Sequence, residues 1–172
     1  MFGFADKVTM KWNTVYRSAA ALLICWLAAG CKEDTASLRV FMQASDRLPE
    51  GQRQVVVVRN PPMNVIVHPL SELSELDLVV AKAVKTPARK QLVLQFDSHG
   101  QRVIESFTGE HRGELYVLTI NGAAVAAPLI RQVISDGTLV VEVDATDEEL
   151  DKVVKGLNTA ANRGRLLQPE KK

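Results

Sequence analysis

Gln91-Leu92-Val93-Leu94-Gln95-Phe96-Asp97-Ser98-His99-Gly100-Gln101-Arg102-Val103-Ile104-Glu105-Ser106-Phe107 is the stretch whose reading decides the fold. Gln91–Phe96 reads as a β-strand, an apolar run bounded by turn and capping chemistry. Asp97 or Ser98 then caps a helix. Beyond the cap the period changes: Val103, Ile104 and Phe107 fall on one helical face, with Arg102 and Glu105 on another. A strand that passes straight into an amphipathic helix calls for a sheet with that helix laid against it.

The residues on the C-terminal side extend this pattern. Glu114–Ile120 reads as a strand, and Asn121-Gly122 is the strongest short hairpin signal available. Ala123–Ala127 returns along it, and Pro128 stops it. Thr138–Val143 is a further strand. Thr146-Asp147-Glu148-Glu149 is a capping box, in which the Thr146 hydroxyl and the Glu149 carboxylate satisfy each other's exposed amides. Leu150, Val153, Val154 and Leu157 follow at i, i+3, i+4 and i+7, an apolar stripe that faces a sheet. Asn162–Lys172 is polar and is expected to fray.

The N-terminal side adds strands at Leu38–Met42, Gln54–Arg59 and Met63–Val67. The last two are antiparallel, separated by Asn60-Pro61-Pro62, because proline cannot donate to a ladder. Ser71–Asp77 is expected to form a helical turn with Ser71 as its cap. Leu78–Val84 is extended, with Pro87 ending it. Strands and helices mix without regular βαβ alternation. The predicted class is therefore α+β, a mainly antiparallel sheet with two or three helices packed on one face.

The chain has 172 residues, room for one domain and a little more. Apolar residues make up 47% and charged residues 24%, ordinary for a globular chain and unlike a disordered one. Lys+Arg is 21 against Asp+Glu at 20, so the basic surplus of a phosphate-binding protein is missing and nucleic acid is not an expected partner.

These totals average two unlike segments. Lys7, Lys11 and Arg17 form a positive N-terminal region, and Ala19–Ala29 is an uninterrupted apolar run. That run is shorter than the roughly 20 residues needed to span a bilayer core and suits a signal-peptide core. Leu27-Ala28-Ala29-Gly30-Cys31 follows and resembles the lipobox of bacterial lipoproteins, with Ala28 where leucine is commonest. The resemblance implies cleavage before Cys31, lipidation of its thiol and acylation of the new amino terminus, set against the plainer readings of an uncleaved N-terminal anchor helix or a signal cut elsewhere. More than one acyl chain gives stable membrane anchoring.

The expected organisation is a signal peptide over 1–30, a lipidated cysteine and tether over 31–37, one domain over 38–160 and a polar tail over 161–172. Removing the signal lowers Lys+Arg from 21 to 18 and Asp+Glu from 20 to 19, leaving a net charge of −1. Both tryptophans, Trp12 and Trp26, leave with it. The mature protein keeps one cysteine, so a disulfide within the chain is not expected.

Catalytic and metal-binding patterns are sparse. His68, His99 and His111 show neither HxH nor HExxH spacing, so no metal site is expected. Asp97-Ser98-His99 is contiguous, whereas catalytic triads are assembled by folding, and Asp97 is more simply a helix cap. No GxGxxG or GxxxxGK[ST] phosphate loop occurs, and no cofactor is expected. Glu148 and Glu149 suit the dipole of a helix N-terminus. The small residues before Pro128 would let another backbone approach closely if they lay at a sheet edge, the geometry of strand addition. Ala123, Ala124, Val125, Ala126, Ala127, Pro128, Leu129 and Ile130 are accordingly the expected polypeptide-binding edge, set against the plainer reading of a tight hairpin packed by a helix.

Several motifs together carry a family resemblance. They are Phe96-Asp97-Ser98-His99-Gly100, Ile104 with Phe107-Thr108, Leu118–Gly122, Ala126-Ala127-Pro128-Leu129-Ile130, Ile134-Ser135-Asp136-Gly137 and Thr146–Leu150. In order and spacing this series resembles the head of the first periplasmic domain of SecD and SecDF, accessory membrane proteins of Sec protein export. The resemblance implies the head's proposed role, contact with emerging preprotein. It does not carry over the family's six transmembrane helices, its base subdomain or its proton-coupling charges, which have no counterpart here. Val143-Asp144-Ala145 also stands where the family has a glycine before the last helix.

The expected function is that of a lipid-anchored periplasmic binding module without enzymatic activity. It would contact exported polypeptide or a Sec-type envelope complex. The alternative is a structural envelope lipoprotein that packs against a folded partner.

Overall fold

The computed structural model describes residues 35–59 and 61–167. The signal segment, Cys31 and residues 168–172 lie outside the described residues. Nine strands, two α-helices and a short 3-10 turn at Glu50–Gln52 are described: β1 Leu38–Met42, β2 Gln54–Arg59, β3 Pro62–Val67, β4 Leu73–Ser74, β5 Leu78–Lys85, β6 Lys90–Phe96, α1 Ser98–Glu110, β7 Tyr116–Ile120, β8 Ala123–Ala126, β9 Thr138–Glu142 and α2 Asp147–Leu167. The class is α+β, as the pattern predicts, with the strands divided between two sheets. One sheet has the order β3-β2-β8-β7-β1-β4 and the other β5-β6-β9. Every pairing is antiparallel except β2 with β8, which run parallel with Val58 opposite Ala124.

The larger sheet curls. Past β1 the chain continues to Ala44, whose N–H donates to the Ile66 carbonyl at 2.8 Å, while the His68 N–H donates to the Met42 carbonyl at 3.0 Å. Gln43 thus pairs with Val67 at the end of β3, the strand at the far side of the sheet. Inside the curl, Val58, Val65, Val67 and Val117 are buried, with Phe41 and Val56 packed against them. The main core lies on the other face of β1 and β7. There Leu38, Val40, Leu118 and Ile120 meet Leu92, Leu94, Leu139 and Val141 of the smaller sheet and Ile104, Phe107, Leu150 and Leu157 of the helices. β7 therefore has both faces covered, and all five of its residues are buried.

Local chemistry explains the junctions. Asp97 caps α1, its Oδ1 accepting from the N–H groups of His99 at 2.9 Å and Gly100 at 2.8 Å. Gly100 is required by packing: a Cβ there would stand 2.8 Å from the Cβ of Phe96. The Phe96-Asp97-x-x-Gly100 motif is thus a strand end, a cap and a close approach of helix to strand. Asn121, at φ 51°, and Gly122, at φ 78°, make the β7–β8 hairpin turn. At α2 the capping box forms in both directions. The Thr146 N–H donates to the Glu149 carboxylate at 2.8 Å, and the Glu149 N–H donates to Thr146 Oγ1 at 3.2 Å. The hydrogen bonds from Thr146 hold the Glu149 carboxyl below its ordinary range. Burial pushes the Tyr116 phenol up to about 12, and its ring lies 6.1 Å from that of Phe107.

Three expectations are corrected. Ser71–Asp77 forms the short strand β4 and a turn in place of a helical turn. The Asp77 carboxylate accepts from the Ser74 N–H at 2.9 Å, and the Glu72 N–H donates to the Val40 carbonyl at 2.8 Å, so the segment pairs with β1. The last helix runs on to Leu167, past the point where fraying was expected. It continues because Gly164 is buried under Leu76 and the Arg165 guanidinium donates to the Val79 carbonyl at 3.1 Å. Finally, Ala123–Ala126 is an interior strand, because β8 has β7 on one side and β2 on the other.

Candidate functional site

The expected binding residues are placed along one continuous segment with three different environments. Ala123, Ala124, Val125 and Ala126 form β8 within the larger sheet. The segment from Pro128 to Ile130 continues along the start of β7: the Tyr116 N–H donates to the Pro128 carbonyl at 3.2 Å, the Ile130 N–H to the Glu114 carbonyl at 2.9 Å, and Leu129 lies opposite Leu115. Ile130 is buried in the main core, whereas Leu129 is exposed. Because this stretch already has strand partners, an incoming chain cannot pair with β8 as it would with a free edge.

Ala126, Ala127 and Pro128 nevertheless form one wall of an open cleft of about 520 Å³. The opposite wall is the β5–β6 turn, Thr86–Lys90, together with Glu142–Ala145 at the end of β9, and Pro61 closes the rim. The turn is fixed by its own hydrogen bonds, the Thr86 N–H donating to the Arg89 carbonyl at 2.9 Å and the Arg89 N–H to Thr86 Oγ1 at 3.0 Å. Lys90 Nζ donates to the Ala145 carbonyl at 2.8 Å and pairs with Asp147 Oδ1 at 2.9 Å. That lysine holds the Asp147 carboxyl below its ordinary range, through its hydrogen bond first and its charge second. The bonds of Lys90 fix the Val143-Asp144-Ala145 connection, where the SecD pattern has glycine. The cleft therefore has one wall of small apolar residues and one of mixed polar and apolar residues, the second pinned by the bonds of Thr86, Arg89 and Lys90.

The three histidines are not brought together. His99 Nδ1 lies 3.1 Å from Asp77 Oδ1, His111 Nδ1 lies 2.9 Å from Glu114 Oε2, and the His68 backbone serves the curl of the larger sheet. Asp77, Asp97 and His99 do have ligand-type atoms within 4.8 Å of one another. Asp77 Oδ2 accepts from the Ser74 N–H and hydroxyl, and Asp97 Oδ1 caps α1. The cluster is a junction of a turn and a helix cap.

Two polar residues have roles that only the structure shows. Thr108, fully buried, donates its hydroxyl to the Ile104 carbonyl at 2.6 Å and accepts from the Ile134 N–H at 3.0 Å, anchoring the loop before β9 to α1. The only sequence signal was its place after Phe107. Asn158 of α2 reaches the outer edge of β5, accepting from the Ala81 N–H at 2.8 Å and donating to the Ala81 carbonyl at 3.0 Å. Nothing in the local sequence marks it.

The domain is similar in fold to solved structures of SecDF. One, of a membrane component SecDF described as enhancing protein export, matches with a TM-score of 0.56 at 21% identity, over 91% of this chain and 71% of that one. A second, SecDF in a super-membrane-facing form, matches with a TM-score of 0.55 at 21% identity over 84% of this chain, which spans 20% of that one's length. No family model matches the sequence, and no curated protein matches it. The domain is SecD-like in fold.

Proposed function

We propose that this chain is a non-enzymatic binding module of the cell envelope, anchored to a membrane through acylated Cys31, whose SecD-like domain contacts exported polypeptide or a Sec-type export complex. The observation that supports the reading is the fold, shared over 91% of the chain with a component that enhances protein export. The cleft beside Ala126, Ala127 and Pro128 supports this reading. Its small side chains allow close approach of another backbone, and the fixed Thr86–Lys90 turn keeps the opposite wall from collapsing onto them.

Photocrosslinking tests the contact. A photoreactive residue at Ala127 should capture a secreted polypeptide arrested during export, and one at the exposed Glu110 on α1 should not. Equal capture at both positions, or none at Ala127, overturns the reading. Intact mass tests the anchor: the mature protein should begin at Cys31 and carry acyl chains, and a chain beginning at Met1 refutes that processing.

A second reading, packing against a folded partner, draws on the outer face of β2. There Val55 is 57% exposed and Val57 65% exposed, a pair of apolar residues open to solvent. Recovery of one stoichiometric folded partner, lost in Val57→Lys, would support it over the first.

A further inference from the structure

The smaller sheet has two outer edges, and hydrogen-bond parity shows which backbone groups each presents. In an antiparallel ladder, residues alternate between those that bond the neighbouring strand and those whose N–H and C=O point away from it. On β5 the Thr86 N–H bonds the Arg89 carbonyl, so even-numbered residues face β6 and Ala81 faces outward. Asn158 takes both of those outward groups, and Arg165 takes the Val79 carbonyl. On β9 the Val143 N–H donates to the Lys90 carbonyl and the Phe96 N–H to the Gly137 carbonyl, each at 3.0 Å. The register between them is unbroken, so odd-numbered residues bond β6 and Thr138, Val140 and Glu142 face outward. The Thr138 N–H is taken by Asp136 Oδ1 at 3.0 Å. No other described strand pairs with this edge. Val140 is 50% exposed.

We infer that the open edge of β9 binds an extended polypeptide as a fourth strand, through the outward N–H and C=O groups of Val140 and Glu142. This rests on the polypeptide-binding reading above and gives it a mode. The occupant follows from three features. The edge runs into the cleft, since Glu142 and Val143 belong to the wall opposite Ala126–Pro128, so a chain paired with Glu142 continues past those residues. That passage is the shape of a single strand. An edge of five residues is also far short of the roughly 1,200–2,000 Å² that a stable folded interface buries. Side chains supply a mild preference: Val140 lies opposite Val93 on the outer face, so a β-branched residue of the incoming strand would stack beside them.

The probe is a short fluorescent peptide of alternating valine and threonine with a lysine at each end, titrated against the full-length protein. A second probe carries N-methyl groups on alternate backbone nitrogens, which removes strand donors while keeping the side chains. The expected result is saturable binding of the first probe, weakened by about tenfold on methylation, with slowed amide exchange at Val140 and Glu142. Val140→Pro removes an N–H that the β6 ladder does not use, so it should leave the fold intact and weaken the unmethylated probe by about tenfold. Val140→Thr, with its backbone unchanged, should bind as the parent does.

Binding that tolerates both methylation and Val140→Pro overturns the edge assignment. If Ala127 still crosslinks to exported polypeptide in that case, the function stands and only its mode is wrong. Absence of both probe binding and crosslinking removes the function as well. A concentration-dependent dimer abolished by Val140→Pro makes a second copy the occupant and overturns the polypeptide assignment.

Discussion

The outer edges of β5 and β9 belong to the same sheet and carry the same backbone chemistry, yet they are finished in opposite ways. β5 lies against α2, and Asn158 imitates a neighbouring strand by offering a carbonyl and an amide in the positions a backbone would. Among the described residues, β9 has only the Asp136 carboxylate at its first residue as such a cover. An exposed edge invites pairing with another chain, and proteins commonly blunt such edges. A long-range side chain takes the Ala81 groups in the middle of one edge, whereas no described side chain takes the Val140 and Glu142 groups of its counterpart.

The contrast can be broken at its base, at its seal, at the start of the sealing helix and at the open edge, in falling order of effect. Leu157 is fully buried on α2, the helix that carries the seal, and Leu157→Ala should cost about 2–5 kcal/mol, read by denaturant unfolding. Asn158→Ala leaves the Ala81 groups without partners at a buried position and should cost about 1–3 kcal/mol. It should also speed amide exchange at Ala81, turning the sealed edge into one like β9; unchanged exchange there would show that the seal lies elsewhere.

Thr146→Ala removes half of the capping box and should cost about 1 kcal/mol in thermal or chemical unfolding. The same box gives a pH dependence. Thr146 lowers the folded-state pKa of Glu149, so the stabilisation is present above its ordinary value of 4.5 and is lost as pH falls through the lower folded-state value. Glu149→Gln should flatten that acid limb. The smallest effect belongs to Val140→Pro, expected within about 0.5–1 kcal/mol of the parent because the lost N–H faces solvent. A loss as large as that of Asn158→Ala would mean that the β9 edge is internally bonded after all.

Legibility from sequence followed the range of the interaction that fixes each element. Gln54–Arg59, the Asn121-Gly122 turn and the Thr146–Glu149 box are written within a few residues, and the structure has each of them in place. Ser71–Asp77 shows how a local signal can mislead. An acidic residue three positions after Ser74 accepts the Ser74 N–H, the same local contact that opens a helix at Thr146, but here the residues before it pair with β1 and only a turn follows. The placement of β8 depends on β2, whose Val58 is distant in sequence from Ala124, and no local pattern encodes that parallel pairing. It was this pairing that turned the expected edge into an interior strand. The open edge of β9 was hidden for a similar reason. Thr138–Val143 reads as a strand by composition, but which of its sides lacks a neighbour is a property of the whole sheet order. The SecD-like fold was visible in the ordered motifs because Gly100 and the capping box are demanded by local geometry.

β7 contributes Val117 to the interior of the curled sheet and Leu118 and Ile120 to the main core. It acts as a party wall: neither compartment can be emptied without exposing the other. Loss of either core should therefore propagate through this strand, so that the domain melts as one cooperative unit and its β7 amides exchange only with global unfolding. That arrangement keeps disturbance at the periphery from becoming partial collapse at the centre.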